Sequence, residues 1–236
     1  MSKAMDPAGG IAVIDPRLLL LAYRSGIFPM ADARDDPDVM WIEPRERAII
    51  PLDGLRVSRS LAKTVRVERF AVTCNRAFDA VVEACAAPRA TEGGESWISH
   101  RIAASYGVLH RQGHAHSFEC WSNEKLVGGL YGVSFDRVFC GESMFSRESN
   151  ASKVALCWLV ATMRKAGFEL LDCQFMTDHL ASLGAVAMSQ ADYLDRLADA
   201  TLGEDRPASL PDAYESLVSG ASSPGKVIAQ SLIHKS

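Results

Sequence analysis

Between residues 97 and 175 the spacing of apolar residues changes twice, and that change limits what the chain can fold into. A helical rhythm over 97–111 stops at Gly113, after which apolar and polar residues alternate over 116–121, 126–133 and 137–146. Asn123-Glu124 and residues 134–136 separate these runs, which predicts an antiparallel meander of three strands. A 3.6 period returns over 151–165, with Val154, Ala155, Trp158, Leu159 and Thr162 or Met163 on one face and Asn150 as the expected cap, and it ends at Gly167 before a last strand over 168–175. Upstream, a strand is expected over 69–73, then a helix over 75–86 capped by Asn75, a loop containing Gly93 and Gly94, and a helix over 97–111 capped by Ser96. Neither an all-helical nor an all-strand packing accommodates this order. The class is α+β, and the last crossover is long enough to return parallel to the sheet.

Residues 1–69 have a different texture. Pro16, Pro29, Pro37, Pro44 and Pro51 allow only short elements between turns. Asp15-Pro16 reads as a cap followed by proline at the first helical position, with the helix ending at Gly26 and a short strand expected over 47–52. The expected organisation is therefore a small N-terminal domain over 1–69, a larger domain over 70–202, and a poorly ordered tail over 203–236, where Pro207, Pro211 and a Ser-Gly-Ala-Ser-Ser-Pro stretch break any pattern.

Charge confines any nucleic-acid contact to one place. The chain carries −4 overall, yet residues 56–69 hold Arg56, Arg59, Lys63, Arg66 and Arg69 against Glu68 alone, so this segment is +4 and the remainder −8. Arg59, Lys63 and Arg66 share one helix face beyond the expected cap Ser58. That face is either simply solvated or a phosphate-contacting patch on an otherwise acidic protein. No purely apolar run comes near the length of a membrane span, so no membrane partner is expected. Six cysteines stand singly, without a C-x-x-C pair, which fits a reducing cytoplasm, and His114 and His116 have no ligand set beside them, so no metal is expected.

The order of helices and strands from residue 70 onward is that of the acetyltransferase-like (GNAT) fold, with its central, mostly antiparallel sheet. In that fold an acyl-bearing ligand lies where neighbouring strands splay apart, beside the crossover helix. Ordinary members hold a pyrophosphate there on a glycine-rich turn. Here the turn reads Ser146-Arg-Glu-Ser-Asn-Ala-Ser-Lys153, with no glycine, and a coenzyme A site is disfavoured.

Polar groups crowd into two apolar strands, Phe139-Cys-Gly-Glu-Ser-Met-Phe-Ser146 and Leu171-Asp-Cys-Gln-Phe175. Period two puts Asp172 and Gln174 on one face and Cys173 on the other. The pair is either satisfied within a buried sheet or arranged so that the carboxylate orients the amide oxygen toward an incoming amine, with Glu142 as a second acid. Cys140 and Cys173 read as core thiols, His179 as a turn residue, and the absence of G-x-S-x-G argues against a serine hydrolase.

In these residues and their order the chain resembles the leucyl/phenylalanyl-tRNA-protein transferases. The stretches that carry the resemblance include Ala22-Tyr-Arg-Ser-Gly-Ile-Phe-Pro-Met30, Trp41-Ile-Glu-Pro-Arg45, Ser58-Arg-Ser60, Gly113-His-Ala-His-Ser117, Leu126-Val-Gly-Gly-Leu-Tyr-Gly132, Phe139-Cys-Gly-Glu-Ser-Met-Phe-Ser146, Asn150-Ala-Ser-Lys153, Leu171-Asp-Cys-Gln174 and His179-Leu-Ala-Ser-Leu-Gly-Ala185. They follow family order over about residues 10–195.

The resemblance implies a cytoplasmic enzyme without metal or cofactor. Its partners would be leucyl-, phenylalanyl- and, less readily, methionyl-tRNA, and proteins beginning with arginine or lysine, which the transfer marks for degradation by the N-end rule. It also implies a small N-terminal domain joined to an acetyltransferase-like one, and matches Asp172 and Gln174 to the catalytic pair, with Asp172 polarising Gln174, and Glu142 to the acid near the amine. Tyr23, Trp97 and Tyr106 match positions near the 3′ adenosine. Met144, Phe145, Leu170 and Phe175 are candidates to line an apolar pocket that rejects β-branched side chains by shape, and the basic face with Arg56 would meet the acceptor stem. Met30 stands where many members carry tryptophan, and the segment 186–190 lacks the family's isoleucine-x-arginine. Two other readings compete: a non-catalytic RNA-binding module on the same fold, and a coenzyme A-dependent N-acetyltransferase.

Overall fold

The computed structural model describes residues 12–88, 96–202 and 206–232. The expected loop with Gly93 and Gly94 lies outside the described residues. The chain opens with α1 (Pro16–Arg24), β1 (Phe28–Met30), β2 (Met40–Ile42), β3 (Glu46–Ile50) and α2 (Arg59–Arg66). It continues through β4 (Ala71–Cys74), α3 (Phe78–Ala86), α4 (His100–Arg111), β5 (Ala115–Ser122), β6 (Lys125–Phe135), β7 (Val138–Ser146), α5 (Ala151–Ala166) and β8 (Leu170–Gln174). Last come α6 (Asp178–Ser182), β9 (Val186–Ser189), α7 (Gln190–Leu202), α8 (Leu210–Ser219) and α9 (Pro224–Leu232).

β1 and β2 form a two-stranded ribbon, and the other strands form one sheet in the order β4-β5-β6-β7-β8-β3-β9. Every neighbouring pair is antiparallel except β7 and β8, which α5 joins by the expected parallel crossover. The class is therefore α+β with a mostly antiparallel sheet. One core lies on the α5 side, where most of that helix is buried, including Trp158, Leu159 and Met163. The other lies under α1, α3, α4 and α7 and contains Tyr23, Tyr106, Tyr131 and Tyr193. A Cβ at Gly128 would meet the Ala151 Cβ at 2.4 Å, so glycine is what lets the start of α5 sit directly against β6.

Several expectations require correction. The boundary at residue 69 does not separate two structural units, because β3, from the segment assigned to the small domain, is hydrogen-bonded between β8 and β9 in the main sheet. In the segment expected to be a poorly ordered tail, α8 and α9 bury Leu210, Ala213, Tyr214, Ile228, Ala229 and Leu232 in the α5 core. The Tyr214 hydroxyl donates to the Val72 carbonyl at 2.6 Å, and its ring meets those of Phe118 and Trp158. Apolar burial outweighs the Pro, Ser and Gly content that suggested disorder.

The helix caps also move. Ser99, rather than Ser96, accepts from the Ile102 N–H at the start of α4. Asn75 and Asn150 are left-handed residues and do not cap: Asn75 accepts from the Ser117 N–H, while the Ser146 hydroxyl oxygen accepts from the Ser152 N–H at the head of α5. For α3 the Glu119 carboxylate reaches across from β5 to accept from the Ala77 N–H.

Tyr214→Ala should lower unfolding stability by about 3 kcal/mol, the usual cost of deleting a buried aromatic ring, as read from urea denaturation. An unstructured tail would leave the midpoint unchanged.

Candidate active site

The site arises where the sheet opens. β7 and β8 pair only from Val138 opposite Leu170 to Cys140 opposite Asp172. Beyond that point β7 follows β6 as far as Ser146, whereas β8 ends at Gln174, whose φ of 63° turns the chain away. A cavity of about 700 Å³ occupies the gap. Leu130, Met144, Leu156, Leu159 and Leu171 border it on apolar surface, Glu142 and Gln174 supply polar groups, and Met30 and Trp97 also line it.

Glu142 owes its direction to a β-bulge. Tyr131 pairs with Ser143 and Gly132 with Gly141, so Glu142 is the extra residue on β7 and has no partner on β6. Its carboxylate accepts from the Tyr23 hydroxyl at 2.7 Å, the Tyr106 hydroxyl at 2.8 Å and the Gln174 amide at 3.0 Å. Burial pushes its proton affinity up to about 7, although the bonds from Tyr23, Tyr106 and Gln174 pull the other way. The same burial, together with the Glu142 charge, holds both phenols protonated well above their ordinary value of 10.

Asp172 faces away from the cavity into a second polar cluster. The Arg47 guanidinium grips it bidentately, Nε to Oδ1 at 2.9 Å and Nη2 to Oδ2 at 2.6 Å, and both side chains are 0% exposed. Tyr193 donates a further bond to Oδ2 at 3.1 Å. Arg47 Nη1 donates to the Gly26 carbonyl, and the guanidinium lies over the rings of Phe28 and Tyr193. Phe28 in turn meets the ring of Phe175, which borders the cavity. Asp172 Oδ1 also accepts from the Gln174 backbone N–H at 2.9 Å. That bond holds the left-handed turn that aims the Gln174 side chain at Glu142.

The structure thus brings Glu142, Gln174, Trp97, Met144, Phe145 and Phe175 to one cavity. It does not bring Asp172 there, and the expected bond from its carboxylate to the Gln174 carboxamide is absent, because Asp172 is committed to Arg47 and to backbone. Tyr23 and Tyr106 are wholly buried with their hydroxyls on Glu142, so neither presents a ring for an adenosine to stack on. Leu170 belongs to the opposite core, and the neighbouring Leu171 borders the cavity in its place, since alternate residues of β8 face opposite sides.

Sequence reasoning assigned no role to Arg47. Its one signal was a charged residue directly before the apolar run Ala48-Ile49-Ile50. On α2, Arg59, Lys63 and Arg66 are exposed, opposite the buried Leu61, Ala62 and Val65. Exposed Arg56 borders a smaller cavity with Lys153. Among the described residues no group of His, Cys, Asp and Glu is arranged to hold a metal.

A family model described as Leucyl/phenylalanyl-tRNA protein transferase matches residues 49–198, and one described as its N-terminal domain matches residues 13–45. A leucyl/phenylalanyl-tRNA–protein transferase from Novosphingobium aromaticivorans is 57% identical across 94% of this chain and 97% of its own. Another from Rhizorhabdus wittichii is 61% identical across 80% of this chain and 76% of its own. Among solved structures, L-PGS from Bacillus licheniformis matches with a TM-score of 0.37 and 14% identity, over 84% of this chain and 62% of that one, a likeness too weak to define the fold family. The two polar clusters therefore lie in a member of the leucyl/phenylalanyl-tRNA protein transferase family, to which this chain belongs.

Two outcomes follow from the buried charges. Asp172→Ala strands the Arg47 cation and should cost about 3–5 kcal/mol of stability in urea denaturation. For Glu142 the folded protein binds the proton more tightly than the unfolded chain, whose ordinary value is 4.5. The contribution of this residue is therefore complete below about pH 4.5 and lost as pH rises through about 7. Measured against Glu142→Gln, stability should fall by a few kcal/mol across that window and level off above it; a difference independent of pH would contradict the assignment.

Proposed function

We propose that this protein moves leucine or phenylalanine, and less readily methionine, from aminoacyl-tRNA onto the N-terminus of proteins beginning with arginine or lysine, marking them for N-end rule degradation. Family membership supports the reaction class, and the cavity between β7 and β8 is the observation that carries the reading at this site. The aminoacyl ester is activated in advance, so the chain's task is alignment and the handling of one proton.

In this reading the amino-acid side chain enters among Leu130, Met144, Leu156, Leu159 and Leu171. An unbranched first side-chain carbon, shared by leucine, phenylalanine and methionine, suits a deep apolar slot better than the β-branched carbon of valine or isoleucine. The neutral α-amine of the acceptor attacks the ester carbonyl carbon, a C–N bond forms, and the C–O bond to the ribose breaks with a proton arriving on the leaving oxygen. Glu142, whose proton affinity lies near 7, takes the proton that the amine gives up and passes it on to the leaving ribose oxygen, so that one proton moves in all. Gln174, with its N–H on Glu142, offers its carbonyl oxygen to the same amine. Asp172 then acts through position, by fixing the backbone of Gln174, rather than by polarising its amide.

The terminal nucleoside is assigned to the Trp97 and Met30 side of the cavity, where the indole supplies an aromatic face and the Met30 thioether replaces a second ring. The α2 face with Arg56 would carry the acceptor-stem phosphates. We also infer that the architecture is of the acetyltransferase-like (GNAT) type, from the splayed parallel pair beside a crossover helix. The glycine-free turn at 146–153 favours an aminoacyl ester over coenzyme A. The six cysteines, all free, suit a reducing cytoplasm, and no helix among the described residues is long and apolar enough to cross a membrane.

Labelled leucyl-tRNA should pass its leucine to a reporter beginning with arginine and not to one beginning with alanine; folded protein that labels neither would refute transfer. Reversing Arg59 and Lys63 to glutamate should weaken aminoacyl-tRNA binding at least tenfold at low salt. The same change should reduce the slope of log affinity against log salt by about two.

A further inference from the structure

We propose that Tyr23 and Tyr106 are positioning residues for proton transfer: two buried phenols that hold the Glu142 carboxylate in its charged form and so set the pH at which it can accept a proton from the attacking amine. Their roles in transfer rest on the reading of Glu142 given above; their effect on Glu142 itself does not.

Several elements bring groups to that carboxylate. Tyr23 approaches from α1, Tyr106 from α4, Tyr131 from β6, and Gln174 and Asp172 from β8, with Cys140 near it on β7. The nearby Arg47 is spent on Asp172 rather than on this carboxylate. Burial and the Asp172 charge both disfavour a carboxylate here. The groups that favour it are hydrogen-bond donors, and of the three the phenols are the closest, at 2.7 and 2.8 Å against 3.0 Å for the Gln174 amide. Bonds to an ionised acceptor are shorter and stronger than bonds between neutral groups, so removing a phenol costs the charged form more than the neutral one.

The two phenols are also locked in place. Their oxygens lie 2.8 Å apart, both rings are wholly buried, and Tyr106 packs edge-on against Tyr131. Burial keeps them protonated, so they remain donors throughout the working range. Tyr23 belongs to the stretch matched by the N-terminal family model, whereas Tyr106, Glu142 and Gln174 belong to the other match. One of the bonds that tune the acid therefore comes from the N-terminal segment. The wholly buried tyrosine pair thus has a role at the positions that the family resemblance matches to the neighbourhood of the 3′ adenosine.

The test is a carbon-13 NMR titration of the Glu142 side-chain carboxyl in the full-length protein, assigned by its absence from Glu142→Gln. The midpoint should lie near 7 and rise by about one unit in Tyr23→Phe and again in Tyr106→Phe. Placing 3-fluorotyrosine at position 23, nearly isosteric and a stronger donor, should move it down, and this arm decides the matter if either phenylalanine variant fails to fold. An unmoved midpoint, or shifts of opposite sign, overturns the proposal. In transfer assays the acid limb of kcat should move with the NMR midpoint, so Tyr23→Phe is roughly fivefold slow at pH 7 and near the parent rate at pH 9. Loosened packing would slow it equally at both. Should the midpoints move while the parent enzyme shows no acid limb, the tuning stands and the proton-acceptor role of Glu142 falls.

Discussion

The buried pair of Arg47 and Asp172 is the constraint on which the rest of the site depends. A guanidinium and a carboxylate with no exposure to water are tolerable only when each satisfies the other, and here two short bonds, the Tyr193 hydroxyl and the Gly26 carbonyl complete the set. Satisfying that pair draws together four distant parts of the chain: the turn after α1, strand β3, strand β8 and helix α7. Once Asp172 is fixed, its remaining lone pair captures the Gln174 N–H, and β8 must end there.

From that ending follows the cavity. A parallel pair that continued past Cys140 and Asp172 would close the sheet, and the apolar surfaces of β6 and α5 would meet β8 instead of bordering open space. The bulge on β7 provides the second half of the arrangement, because it re-aims one side chain of an otherwise alternating strand toward the gap. Glu142 is thereby held by three donors from three elements while still bordering the cavity. Its proton affinity is raised by burial and moderated by those donors, which is how a carboxyl comes to be poised near neutrality.

Much of this is legible in the sequence. The return of a 3.6 period after three alternating runs identified α5 and the order of elements around it, and Asp172, Gln174 and Glu142 stood out as polar residues in apolar strands. The helical tail left a fainter trace. Leu210, Ala213, Tyr214 and Leu217 have helical spacing behind Ser209, but the surrounding Pro, Ser and Gly obscured it. Asn75 and Asn150 looked like caps because asparagine favours both caps and left-handed turns, and only the backbone angle distinguishes the two.

What the sequence determined by itself was periodicity, hence the elements, and the residue types available for chemistry, because both are properties of neighbours along the chain. What the tertiary structure decided was partnership. Arg47 pairs with a carboxylate 125 residues away, and Tyr23 with one 119 residues away, and no local pattern encodes such a pairing. Whether a polar residue in a strand is a reactant, a tuner or a brace depends on which charges and donors the fold places within bonding distance. That is set by packing across the sheet rather than by order along the chain.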